Sequence, residues 1–85
     1  MARRELQERV ERALDGFREG LTDRELALLD ERILSEAPVT LQEIGDRFGT
    51  TREAARQAES RLMKRLKEFL REELGDLGSI QVGKS

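Results

Sequence analysis

Residues 40–67 read TLQEIGDRFGTTREAARQAESRLMKRLK, and this pattern predicts a short helix, a tight turn and a second, long helix. Thr40 and Glu43 have the spacing of a capping box, in which two side chains satisfy the first amides of a helix. Gly49 should end this helix after about eight residues, because glycine adopts the left-handed conformation without penalty. Gly45 costs about 1 kcal/mol inside a helix relative to alanine. We therefore expect another backbone to approach Gly45 closely.

The second helix of this segment should begin at Thr50 or Thr51 and end near Leu74, before Gly75. At 1.5 Å per residue it would be about 35 Å long. Its inward stripe comprises Ala55, Ala58, Leu62, Leu66, Phe69, Leu70 and Leu74. Its outward polar positions are Arg52, Glu53, Arg56 and Gln57, which we name the reading face. A short helix and a long helix joined by so tight a turn are typical of a helix-turn-helix, whose second helix enters the DNA major groove.

Composition limits the alternatives. The chain has 85 residues, of which 40% are charged and 36% hydrophobic, with a single proline. These values predict one small all-α domain of four helices, in which the helix-turn-helix carries an extended recognition helix. There is no cysteine or histidine, which excludes disulfides, thiolate or imidazole metal ligands and His- or Cys-based catalysis. We therefore predict no enzyme activity, metal site or cofactor. No apolar run approaches the ~20 residues that cross a bilayer, so we expect a cytoplasmic protein without membrane partners.

The charges are distributed unevenly along the chain. Residues 1–48 contain eight arginines and twelve acidic residues, whereas residues 52–71 contain seven basic and three acidic residues. The local field at a contact helix matters more for DNA binding than the net charge of −2. A solvated face on a charged helix explains the same composition, so charge alone does not decide for DNA.

Two further helices should precede the helix-turn-helix. Residues 3–17 place Leu6, Val10, Leu14 and Phe17 on one stripe. A second capping box starts at Thr22 and opens a helix of about twelve residues, whose inward positions are Leu26, Leu29 and Ile33, with Leu28 and Leu34 beside them. Pro38 ends this helix. We accordingly divide the chain into an N-terminal helix at residues 1–20, a domain at 21–74 and a mobile tail at 75–85.

Two arginines of the second helix, Arg24 and Arg32, lie eight residues apart and project from one side. They are about 12 Å apart along the axis, and this distance would allow them to straddle phosphates. Ion pairs with Asp30, Glu31 or Glu36 are the simpler alternative for the same two side chains.

These residues resemble region 4 of the sigma-70 family of bacterial RNA polymerase sigma factors. Residues 40–67 resemble region 4.2, with Arg56-Gln57 and the following Glu59 as the most specific part, and LTDRELALLDERI at residues 21–33 resembles region 4.1. Within the family, LDERIL and LQEIGDRFG are most similar to heat-shock-type alternative sigma factors.

The resemblance implies recognition of the promoter minus-35 element by a domain docked on the β flap of RNA polymerase. It implies that Arg52, Glu53 and Gln57 read bases. Phosphate contacts would come from Arg24, Arg32, Thr40 and Arg56. Arg61 and Lys64 would lie near the upstream DNA, where activators approach, and Leu26, Leu29 and Ile33 would line the flap contact. Activators or an anti-sigma factor are further possible partners.

The chain departs from this family at three alanines of the second helix. Ala55 and Ala58 replace large aliphatic residues, and Ala54 replaces a long polar one. We expect the fold to survive with lower stability, since a large-to-small core change costs about 1–4 kcal/mol. The parts that read the minus-10 element and melt DNA are missing, so we expect a piece of a longer factor.

Two other interpretations remain. A response-regulator DNA-binding domain also begins LT-x-RE, but its recognition helix usually contains a histidine, which this chain lacks. A helical protein-interaction module would use residues 62–74 as a coiled-coil arm, for which fewer than three clean heptads are present.

Overall fold

The computed structural model describes the backbone of residues 2–75 and the side chains of residues 4–75. Within these residues the chain forms four helices and no strand, which confirms the predicted all-α class. The helices are α1 (Ala2–Glu19), α2 (Asp23–Leu28, continued by a π-helical segment at Leu29–Ile33), α3 (Leu41–Phe48) and α4 (Arg52–Leu74). Apart from Gly75, the predicted mobile tail at 75–85 lies outside the described residues.

The described chain divides into two compact units. One comprises residues 2–20 together with 65–75, and the other comprises Leu21–Lys64. The N-terminal part of α4 belongs to the second unit, together with α2 and α3. The boundaries predicted at 20/21 and 74/75 stay a prediction.

The first unit contains α1, whose burial is concentrated near its C-terminal end. Phe17 is buried and its ring centroid lies 5.1 Å from that of Phe69, with the two rings tilted by 44°. The guanidinium of Arg65 lies 5.9 Å from the centroid of Phe17, within the range of a cation–π interaction. Leu6, at the other end of the predicted stripe, is 38% exposed. The expected stripe on α1 is therefore packed only in part.

Helix α2 begins at the capping box that the sequence predicts. The Thr22 hydroxyl accepts from the amide of Glu25 at 3.2 Å, and the Glu25 carboxylate accepts from the amide of Thr22 at 3.0 Å. After Leu28 the helix widens, and the amide of Leu34 donates to the carbonyl of Leu29 at 2.8 Å, which is the spacing of a π-helix. The predicted helix of about twelve residues is therefore present from Asp23 to Ile33, with a π-helical second half that the sequence did not predict.

Helix α3 and the turn after it have the predicted geometry. Thr40 and Glu43 form a reciprocal capping box, and Gly49 is left-handed with φ 69°. A Cβ on Gly45 would lie only 2.7 Å from the carbonyl oxygen of Thr50. The close backbone is therefore that of the turn itself, which Gly45 allows to fold against α3. The Gly45 carbonyl also accepts from the Thr50 amide at 2.8 Å.

Thr51, one of the two predicted alternatives, caps α4, because its hydroxyl accepts from the amide of Ala54 at 3.0 Å. The buried side chains of the Leu21–Lys64 unit come from all three of its helices. They are Ala27, Leu28, Leu29, Ile44, Ala55, Ala58 and Leu62. Two of the three unusual alanines, Ala55 and Ala58, thus lie in this core.

Candidate nucleic-acid interface

The reading face begins where α4 begins. Arg52 is the first residue of the helix, directly after the Thr51 cap and the turn that Gly45 and Gly49 make possible. Arg52, Glu53, Arg56 and Gln57 are all exposed in this unit. The turn therefore presents a row of polar side chains along the first two turns of α4, backed by the buried Ala55 and Ala58.

Glu53 is the centre of a local network on the reading face. Its carboxylate accepts from Arg56 Nε at 2.9 Å and Arg56 Nη2 at 2.6 Å, and from Gln57 Nε2 at 3.3 Å. The hydrogen bonds from Arg56 are the largest of the effects that lower the pKa of Glu53 from 4.5 to about 2. The sequence places Glu53 on the reading face but does not predict this network.

The exposure of this network determines how it can behave. The Glu53 side chain is 57% exposed and the Arg56 side chain 53%. Exposed ion pairs three residues apart on a helix contribute about 0–1 kcal/mol to stability. A phosphate or a base edge can therefore replace either partner at little cost.

A shallow surface depression lies beside the reading face. It is lined by Arg32, Thr40, Leu41, Gln42 and Arg52. Three of these residues, Arg32, Thr40 and Arg52, were predicted to contact DNA, and the structure brings them to one place.

Thr40 is already engaged in capping α3. Its hydroxyl accepts from the Glu43 amide at 3.0 Å, and its own amide donates to Glu43 Oε1 at 3.0 Å. The first amides of a helix have no partner within the helix, so those of Leu41 and Gln42 can donate outward. A phosphate at this position would meet these amides and the Thr40 hydroxyl, but also the neighbouring Glu43 carboxylate.

Arg32 has a different environment from the other predicted DNA contacts. Its Nε donates to Glu59 Oε2 at 2.5 Å, its Nη2 to Glu59 Oε1 at 3.2 Å, and its Nη1 to the carbonyl of Val39 at 2.7 Å. The side chains of Arg32 and Glu59 are only 23% and 20% exposed. The hydrogen bonds that Arg32 donates to Glu59 raise the pKa of Arg32. We name Arg32, Val39 and Glu59 the clamp.

The partner of Arg32 in the clamp was not predicted from the sequence. Ion pairs were expected only with acids near Arg32 in the chain, whereas Glu59 lies 27 residues away. Glu31, one of those acids, pairs instead with Arg47 through bonds of 2.7 and 3.0 Å. The sequence contained one signal for this partner, because Glu59 is an acidic residue within the basic segment of α4. The structure shows that its position is half-buried.

The remaining predicted contacts occupy several surfaces. Arg61 and Lys64 are exposed on α4, and Arg24 is half-buried on α2. Of the residues predicted to meet the polymerase flap, Leu26 and Ile33 are half-buried, whereas Leu29 is fully buried. Leu34, which was not assigned to this contact, is 43% exposed. Leu29 therefore offers no exposed surface to a partner in this structure.

Comparison with known proteins decides the family. The family model described as Sigma-70, region 4 matches residues 19–68, over half of the chain. The chain belongs to this family. The match includes both capping boxes, the turn, the reading face and the clamp, and it confirms the family predicted from the sequence.

The region 4 chain is similar to several sigma factors. It is 44% identical over 50 residues to the RNA polymerase sigma-B factor of Myxococcus xanthus, covering 59% of this chain and 20% of the relative. It is 44% identical over 52 residues to the RNA polymerase sigma factor RpoH of Caulobacter vibrioides, covering 61% and 18%. For the RNA polymerase sigma-C factor of Myxococcus xanthus, the identity is 41% over 64 residues, covering 75% and 19%.

The region 4 chain spans about a fifth of the length of these relatives. No solved structure matches it. Among its described residues, none of the helices has the length and apolarity to cross a membrane. The same residues contain no cluster of three or more histidine, cysteine or acidic side chains that could hold a metal ion.

Proposed function

We propose that this region 4 domain recognises the minus-35 element of promoter DNA during transcription initiation in the bacterial cytoplasm. It does so as part of a sigma factor bound to RNA polymerase, with a docking contact on the β flap. The observation that carries the proposal is the exposed reading face, which begins directly after the tight turn of a region 4 fold. The domain acts by binding and takes part in no catalytic step.

Three residues of the reading face have the chemistry of base recognition. In the major groove, arginine binds guanine through two hydrogen bonds, glutamine pairs with adenine, and glutamate accepts from the amino group of cytosine. Arg52, Glu53 and Gln57 provide one of each type. Their position in the first two turns of α4 suits a recognition helix, since such a helix contacts base edges with its N-terminal residues.

Binding requires the Glu53 network to rearrange. Glu53 would exchange its bonds from Arg56 for one from a cytosine, and Arg56 would turn to a phosphate. Because the pair is exposed, this exchange loses little free energy. Arg56 gains more from the phosphate, because hydrogen bonds between charged groups strengthen as the interface excludes water.

Further phosphate contacts fix the register of the helix in the groove. The first amides of α3, next to Thr40, offer hydrogen-bond donors at the positive end of a helix dipole. Thr40 could donate there only by releasing Glu43, and Arg24 adds a charge from α2. Arg32 has already committed three of its five N–H groups, which leaves two for a phosphate. Arg61 and Lys64 extend the basic surface towards the upstream DNA and towards activators.

A binding measurement tests the DNA part of this proposal. We expect the 85-residue chain to bind a minus-35 duplex more tightly than a scrambled duplex of equal length. Gln57→Ala should cost about 1–3 kcal/mol on the minus-35 duplex and relax the preference at one base pair. An equal loss on both duplexes would contradict base reading by Gln57.

A second measurement tests docking on the flap. Leu34→Asp places a charge on the exposed side chain that follows Ile33, leaves the buried Leu29 in place, and should abolish binding of a β-flap fragment. Leu6→Asp is the matched control, since Leu6 has a similar exposure but lies on α1, outside this surface. Equal binding by the two variants, with unchanged circular dichroism, would contradict the assigned flap surface.

A further inference from the structure

The clamp joins three segments of the chain through one guanidinium. Arg32 belongs to the π-helical segment, and Val39 directly precedes Thr40, the residue that caps α3. Glu59 lies in α4, two residues beyond Gln57 of the reading face. The amide of Val39 also donates to the carbonyl of Glu31 at 3.1 Å, so the linker before α3 is held on both sides. The clamp therefore ties the start of α3 and the middle of α4 to the end of α2.

We propose that Arg32 and Glu59 are positioning residues that hold α4 at the angle at which the reading face distinguishes base sequences. This inference rests on the function proposed above and assigns to Arg32 a primary role other than phosphate binding. Glu59 lies about 10 Å along the helix from Arg52. A rotation of α4 about this point would carry Arg52, Glu53 and Gln57 away from the base edges.

The geometry of the clamp suits such a role. A guanidinium and a carboxylate that share two parallel hydrogen bonds restrain each other in angle as well as in distance. Lysine, with a rotating ammonium on a flexible stem, provides the charge without this restraint. The low exposure of both side chains protects the pair from exchange with water and salt ions. The exposed Glu53–Arg56 pair on the same helix has no comparable protection.

The charge of Glu59 also favours a positioning role for Arg32 over phosphate binding. The Glu59 carboxylate neutralises Arg32 at the place where a phosphate would need its positive charge. A phosphate that displaced Glu59 would leave a half-buried carboxylate unpaired beside the DNA backbone, which is costly. The interaction with Glu59 is therefore kept when DNA binds.

The two roles predict different dependences on salt and sequence. Loss of a phosphate contact weakens binding to every sequence and reduces the salt slope by about 0.9. Loss of a positioning residue lowers the ratio of cognate to scrambled affinity and leaves the salt slope unchanged. Loss of a contact that serves only stability changes neither quantity while the protein stays folded.

The experiment measures the affinity of the chain for minus-35 and scrambled duplexes over a range of salt, below the unfolding temperature of each variant. Arg32→Ala should lower the affinity ratio about tenfold, the value of one two-bond base contact. Arg32→Lys and Glu59→Gln should each lower it by a smaller factor, since each keeps part of the interaction. Arg32→Ala combined with Glu59→Gln should add no further loss. Arg47→Ala, which breaks the exposed pair with Glu31, is the matched control and should leave the ratio unchanged.

Two results would overturn the inference. One is an equal loss on both duplexes with a reduced salt slope, which assigns Arg32 to a phosphate. The other is an unchanged affinity ratio in the folded Arg32→Ala variant, which would mean that the clamp contributes only to stability.

A DNA-free measurement separates this inference from the proposed function. If the unaltered chain does not distinguish the duplexes, the proposed function fails. Amide NMR shifts then test whether the clamp positions the start of α4. Positioning requires Arg32→Lys to move the amide signals of residues 52–57, whereas Arg47→Ala should not. Unmoved signals in Arg32→Lys would overturn the inference.

Discussion

Two arginine–glutamate pairs that involve α4 have the same chemistry but differ in exposure. Glu53 and Arg56 lie three residues apart on one helix, and both are more than half exposed. Arg32 and Glu59 lie 27 residues apart in the chain, and both are less than a quarter exposed. The exposed pair is open to exchange of partners, whereas the half-buried pair joins distant segments of the chain.

The two glutamates of these pairs point in different directions from α4. Glu53 and Glu59 are six residues apart, so they point about 120° away from each other at 100° per residue. Arg52 precedes Glu59 by seven residues and therefore points within about 20° of it, and Arg56 lies about 60° from it. The clamp thus meets the helix beside part of the reading face. For the proposed base recognition both kinds of pair matter, because exchangeable groups distinguish bases only from a fixed position.

The largest effect should come from breaking the support at the turn. Gly45→Ala places a Cβ 2.7 Å from a backbone oxygen of Thr50, which cannot move without displacing the start of α4. We expect a loss of about 3 kcal/mol in the free energy of unfolding, at the upper end for overpacking. Thermal or urea unfolding measures it.

Gly16→Ala is the control for this prediction. A Cβ on Gly16, in α1, would meet nothing within 4 Å, so the change should stabilise the chain by about 0.5–1 kcal/mol through helix propensity. Equal effects of the two substitutions would mean that the turn does not press on Gly45.

Local chemistry made this part of the fold predictable. A threonine three residues before a glutamate specifies a helix start, and a glycine after an apolar helix specifies its end. Both capping boxes, the left-handed Gly49 and the tight turn after Gly45 follow from neighbours in the sequence. The same holds for the exposed reading face, which alternates with buried alanines along α4.

The π-helical segment and the clamp were not predictable in this way. A π-helix is not favoured by the propensity of any residue at 29–33, and the segment coincides with Arg32, which bonds to distant parts of the chain. Helical periodicity specifies which side of α2 faces inward but not which acid on another helix meets Arg32. The complete burial of Leu29, in contrast to the half-buried Leu26 and Ile33, was likewise a matter of tertiary packing.

A second prediction compares the stability contributions of the two pairs. Arg32→Ala leaves a half-buried carboxylate and a backbone carbonyl without their donor, and it should lower the free energy of unfolding by about 2 kcal/mol. Arg56→Ala should change it by less than about 1 kcal/mol. Urea unfolding of the two variants measures the difference, and similar losses would remove the distinction between a fixed and an exchangeable pair.

A third prediction concerns the exchangeable pair on DNA. Arg56→Ala should weaken binding to minus-35 and scrambled duplexes by the same factor and reduce the salt slope by about 0.9, as one lost phosphate contact does. The affinity ratio between the duplexes should stay constant, in contrast to the effect expected for Arg32→Ala. A changed affinity ratio with a constant salt slope would give Arg56 the positioning role proposed for Arg32.

The smallest effect concerns the titration of Glu53. Because its pKa is lowered from 4.5 to about 2, mainly by hydrogen bonds from Arg56, the carboxylate should stay ionised at pH 3.5, where an ordinary glutamate is mostly protonated. A lowered pKa means that the pair contributes above pH 4.5 and is lost as the pH falls towards 2. The side-chain carboxyl NMR signal should titrate near 2, and at a clearly higher pH in Arg56→Ala, where Gln57 and Arg52 still lower the pKa. Arg32→Ala should leave this midpoint unchanged, because Arg56, Gln57 and Arg52 lower the pKa of Glu53 and Arg32 is not among the groups that shift it. A shift of the Glu53 midpoint in Arg32→Ala would mean that the fixed pair controls the local network as well as the helix angle.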